Sequence, residues 1–203
     1  MKQIDKSALL DWEKYKEDIY RSTPVDQSMS HAERERHRLY LEAHPIEWIQ
    51  FFFPGYAKYE FADFQKRAIR RILAHDEWYE VLSWSRELAK STITMFIVMY
   101  LALTSKKRNI LLTSNSKDNA VRLLAPYRAN FEANGRITAY YGRQQSLGSW
   151  TEDEFITRPA AVPGASPTGA SPSEPSVPDS PQLRRKHSNI KRRSPASLTK
   201  QGF

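Results

Sequence analysis

A lysine and a hydroxyl stand side by side at Lys90 and Ser91, followed by Thr92, at the end of the run VLSWSRELAKST. These residue types in this order suit phosphate. In a phosphate-binding loop a strand ends and a short turn aims backbone N–H groups at the phosphates. A helix then begins with its positive dipole end behind them. The lysine reaches the β and γ phosphates, and the following hydroxyl coordinates Mg²⁺. Here residues 80–84 read as the strand, 85–89 as the turn and 90–103 as the helix. Trp84 and Ala89 occupy the two glycine positions of GxxxxGK[ST]. The tripeptide alone arises by chance about once per thousand residues, so the strand–turn–helix context carries the reading. Two local expectations follow. Ala89 should have a negative φ, since a left-handed alanine costs roughly 1–2 kcal/mol. Glu87 should point away from the phosphates, because its carboxylate would repel them.

The elements that must position this loop read as four zones. Residues 1–43 are charged and lack glycine, with HAERERHRLYLEA the most helical piece, read as a solvated surface helix. Ile46–Phe53 reads as a short aromatic helix that stops at Pro54-Gly55. A second helix starts near Asp63, with Phe64, Ala68, Ile69, Ile72 and Leu73 on one face. The third zone alternates: a strand at 80–84, a long apolar helix at 90–103, a strand at 109–114 (NILLTS) and a helix at 117–133. That order implies an α/β fold, a parallel sheet with flanking helices. The helix at 90–103 is apolar nearly all round, as suits one enclosed by sheet and neighbours. A shorter strand fits 137–141. The domains are then a helical N-terminal segment (1–43), a partial ATPase domain (44–157) and a tail (158–203).

The tail changes character abruptly. RPAAVPGASPTGASPSEPSVPDSP has proline every few residues and almost no large apolar side chain, a composition that predicts disorder. The chain has 203 residues, no cysteine and a net charge of +8. Of its 31 Lys and Arg and 23 Asp and Glu, eight and two fall from Arg158 onward, so the first 157 residues keep 23 and 21. The part expected to fold is therefore close to neutral, and its charge argues little for nucleic-acid binding. The absence of cysteine suits a reducing compartment. No segment reads as a signal peptide or a membrane span, so a soluble, cytosolic protein with no membrane partner is expected.

SRELAKST resembles the divergent Walker A loop of tailed-phage terminase large subunits, the ATPases that pump DNA into procapsids. Further pieces match in order. HPIEWIQFFFP resembles the aromatic segment ahead of that family's ATPase core, and FADFQKRAI its adenine-side motif. ILLTSNSKDNAVRLLAPYRANFE resembles the strand and helix after the Walker A helix, and GSWTEDEFIT the segment before the Walker B strand. The resemblance covers about 44–157. It implies an incomplete P-loop NTPase with ATP and Mg²⁺ as cofactors. Ser85, Arg86, Glu87, Leu88, Ala89, Lys90, Ser91 and Thr92 would form the phosphate loop, with Arg86 on the γ phosphate and Ser91 on the metal. Gln65 would read the adenine. Implied partners are viral DNA, the portal protein, the terminase small subunit and further copies of the chain. Simpler roles stand beside these: Gln65 and Arg86 facing solvent, Thr92 packing in its helix, and Trp48, Phe51, Phe52 and Phe53 as core.

The resemblance stops after Thr157. Glu152, Asp153, Glu154, Glu174 and Asp179 follow no apolar strand, so none fits a Walker B acid, and no nuclease carboxylates are present. Phosphoryl transfer needs a positioned metal and nucleophile as well as a loop. The chain should therefore bind nucleotide with little or no hydrolysis. Two origins for the tail stay open, a functional disordered segment and a frameshift. The frameshift is favoured because the tail begins in mid-domain, whereas natural tails begin at domain edges. Rival readings are another helicase-like P-loop ATPase, and a non-enzymatic nucleic-acid-binding module with a basic tail.

Overall fold

A computed structural model describes residues 3–157, which lie within one compact unit. The tail expectations for 158–203 lie outside the described residues. In chain order the elements are α1 (Gln3–Ser22), α2 (His31–Ala43), α3 (Pro45–Phe52), α4 (Asp63–Leu73), α5 (Lys90–Leu103), α6 (Lys117–Ala133), α7 (Gly135–Tyr141), β1 (Gln145–Trp150) and β2 (Phe155–Thr157). No described helix is long and apolar enough to cross a membrane.

The expected α/β fold with a parallel sheet is not what forms. The described residues are mostly helical, and their one sheet is the two-stranded antiparallel hairpin β1–β2. The two expected strands, 80–84 and 109–114, have no regular secondary structure. Their sequences are apolar enough for strands, but strand propensity expresses itself only where a neighbour pairs the backbone and covers a face. Neither run has a paired neighbour among the described residues, and each is covered on one side only, where Trp84 and Leu112 pack partly against the core. Val81 is 63% exposed and Leu111 85% exposed. Ser83 N bonds back to Val81 O at 3.2 Å, which folds the segment on itself. An unpaired strand would leave its N–H and C=O groups to water.

The third expected strand, 137–141, is helix α7. Its start is set by Asn134, whose Oδ1 accepts from Ile137 N at 3.0 Å while its Nδ2 donates to Phe52 O at 2.7 Å. Asn134 thus caps α7 and ties it to the end of α3. Gly135 lets this junction close, since a Cβ there would meet Thr23 O at 2.9 Å. Gly142, at φ +77°, ends the helix in a conformation that glycine adopts without strain.

Apolar helix α5 lies at the centre, packed by α3, α4 and α6 rather than by a sheet. Ile93, Met95, Phe96, Ile97, Met99, Tyr100 and Leu103 are buried along it, which explains its nearly uniform hydrophobicity. The aromatic run of α3 supplies the facing core. Trp48, Phe52 and Phe53 are buried, Trp48 meets Tyr100 edge-on at 5.1 Å and Phe53 lies 5.0 Å from Phe96. Trp48 Nε1 donates to Tyr141 Oη at 2.8 Å, so its one polar atom is satisfied. Helix α2 is more than a solvated surface helix, because Arg38 and Leu41 are buried in it. Helix α1 lies along α6.

Candidate functional site

The run into the phosphate loop is held by α4. Arg71 Nε donates to Glu80 Oε2 at 3.0 Å, and the Phe64 and Trp84 rings meet edge-on at 4.9 Å. Gln65 closes the arrangement. Its Nε2 donates to Leu88 O at 3.2 Å, and its Oε1 accepts from Ala62 N at 3.0 Å. Gln65 is thus a backbone tether between the α4 N-terminus and the loop. The positions 64 and 71 lie two helical turns apart on one side of α4, which lets one helix grip both ends of the segment.

Within the turn, Arg86, Glu87 and Leu88 are exposed. The negative φ expected of Ala89 is overturned: its φ is 58° and its ψ 29°. Glu87 is also left-handed, at φ 66°. Two non-glycine residues in this region within one turn are a local source of backbone strain. The strain is offset by the fastenings at both ends, since Lys90 folds back under the loop. Its Nζ donates to Trp84 O at 2.5 Å and to Ser85 O at 2.8 Å. Two of the three ammonium protons are therefore satisfied by the chain itself, and one remains for a ligand.

Helix α5 begins directly after this bend. Ala89 is its N-cap residue and brings no side-chain oxygen, and no acid stands in the first turn. The backbone N–H groups of Lys90, Ser91 and Thr92 consequently have no capping acceptor, a state that favours an anion. Lys90, Ser91 and Thr92 line a cavity of about 610 Å³, which Thr113, Arg122 and Tyr127 also border. Its size is that of a small-molecule site. Burial pushes the Tyr127 hydroxyl up to about 12 and raises that of Tyr15, another wall residue. Both phenols therefore stay neutral at physiological pH.

The geometry brings together only part of the expected set. Lys90, Ser91 and Thr92 share the cavity, whereas Ser85, Arg86, Glu87, Leu88, Ala89 and Gln65 do not line it. No carboxylate of the described residues lines the cavity, and no described cluster of His, Asp and Glu is placed to hold a metal ion. Magnesium prefers carboxylate and phosphate oxygens, so a single serine hydroxyl does not make a resident Mg²⁺ site. Arg122 and Thr113 were not singled out in the sequence, where Arg122 reads as one more polar residue of α6. No family model, curated protein or solved structure matches this chain.

Proposed function

We propose that this chain binds the phosphates of a nucleoside triphosphate at the N-terminus of α5. On this reading it is a piece of a DNA-packaging ATPase of the terminase large-subunit kind. The observation that carries the binding reading is the uncapped first turn of α5, with Lys90, Ser91 and Thr92 on one cavity that no described carboxylate lines. Free N–H groups, a helix dipole and an ammonium converge there, and these are the groups that hold phosphate. Magnesium enters with the phosphates, and Ser91 is the side chain placed to touch it. The family reading is supported by the order and spacing of the motifs between His44 and Thr157.

The same donors hold a phosphate without activating water, because no described acid stands in the cavity to act as a base. The expected behaviour is nucleotide binding with little turnover. Thermal melting in millimolar Mg·ATP tests it. A ligand at a hundred times its dissociation constant stabilises a fold by about 2.7 kcal/mol, which for a domain of this size raises the melting temperature by roughly 5–10 °C. Lys90→Ala, measured against its own melt without ligand, should lose that increase. An unshifted wild-type melt would remove the nucleotide reading, and fast Lys90-dependent hydrolysis would remove the claim of low turnover. The packaging assignment has its own test in the coding DNA around codon 157. A second reading frame carrying an apolar strand that ends in Asp and an acid would support it.

A further inference from the structure

The cavity beside α5 differs in charge from its neighbours. Asp153 and Glu154 stand with Arg108 and Lys117 around the hollow between α6 and β2. Glu13, Glu17 and Glu132 stand with Lys14 and Lys16 around the hollow between α1 and α7. At the α5 cavity the ionic side chains among the described residues are Lys90 and Arg122. Lys90 is largely occupied with its own loop. Arg122 makes no hydrogen bond or ion pair within the described residues, although acids are plentiful on the rest of the surface.

We propose that Arg122 is a second phosphate-binding residue of this cavity, holding from α6 the polyphosphate that α5 holds from the other wall. The proposal rests on the nucleotide reading above and extends it. A triphosphate presents many oxygens, and Lys90 has one proton to offer them. A guanidinium supplies a planar fork of donors that matches two phosphate oxygens at once. Its carrier is rigid. Helix α6 is capped by Ser116 Oγ, which accepts from Asn119 N at 3.3 Å, and it packs along α1. Arg122 is an exposed cation on that helix and lines the same cavity as the strapped lysine, which no acid among the described residues lines.

Calorimetric titration of the full chain with Mg·ATP, and separately with inorganic tripolyphosphate, tests this. Wild type, Lys90→Ala, Arg122→Ala, Arg122→Met and Arg122→Lys are compared, with melting temperature as the folding control. The Met variant keeps the helix and the side-chain bulk should the Ala variant fold poorly. The expected result is about tenfold weaker binding of both ligands to the Ala and Met variants, the loss of one charge-assisted contact. Arg122→Lys should recover only part, since a point charge lacks the fork. Unchanged affinity of folded Arg122 variants, alongside lost binding in Lys90→Ala, would overturn the role of Arg122 and leave the nucleotide site standing. The reverse pattern would keep Arg122 and remove Lys90. No binding of either ligand to wild type would overturn both.

Discussion

Ala89 and Glu87 hold the loop's bend at the level of single residues, each with a positive φ that costs a side-chain-bearing residue roughly 1–2 kcal/mol. Ala89→Gly should therefore stabilise the chain by about 1 kcal/mol, relief of strain partly cancelled by the freer unfolded glycine. Urea unfolding measures this, and a loss of stability would mean that the bend is not left-handed in solution. Ala89→Val should act in the opposite sense, because a β-branched residue tolerates that region worst. Lys90 has a structural role whatever it binds. It is the loop's own fastening, so Lys90→Ala should expose the turn to proteolysis even where the melt is normal.

At the scale of elements, one carboxylate joins three of them. Glu132 on α6 accepts from Trp150 Nε1 of β1 at 2.8 Å and from Arg128 at 2.9 Å, and Lys16 of α1 lies 3.6 Å away. Burial alone would raise its pKa, but the Trp150 and Arg128 hydrogen bonds and the two cations outweigh it, and the net shift is downward from 4.5. A lowered folded value adds stability above the unfolded carboxylate range, and that stability is lost as pH falls through the folded value. Glu132→Gln should cost about 1–3 kcal/mol at neutral pH. It should also flatten the loss of stability below about pH 4.5, readable as melting temperature against pH. Helices of this kind were legible in the sequence. The helices expected at HAERERHRLYLEA, 90–103 and 117–133 form as α2, α5 and α6. Helix α7 was misread as a strand because Ile137, Tyr140 and Tyr141 suit either structure, and the capping role of Asn134 was the overlooked signal. The parallel sheet was misread for another reason. Val81 and Leu111 carry strand propensity, and only a partner strand can turn that into structure. In the site, Lys90 and Ser91 were legible from type and order. Arg122 was not, since only the packing of α6 brings it to the same cavity.

For the whole molecule, charge separates from the described fold. Residues 158–203 carry eight of the 31 cations and two of the 23 acids, leaving residues 1–157 at a net +2. Non-specific affinity for duplex DNA should therefore reside in residues 158–203. A chain ending at Thr157 should lose most of it, and the slope of log affinity against log salt should fall by about 0.9 for each phosphate contact removed. Equal slopes for both chains would move the DNA contact onto residues 1–157. That outcome would favour a packaging motor's own DNA surface over a module that binds through its basic segment. The fastening of Lys90 to Trp84 and Ser85, with Gln65 on Leu88, has a further consequence for ligand traffic. The loop has its shape before any phosphate arrives, so docking gives up little chain entropy. Entry should be governed by diffusion, not by loop folding. The ammonium need not leave its two carbonyl oxygens, since a phosphate takes the third proton, and departure leaves the loop fastened as before.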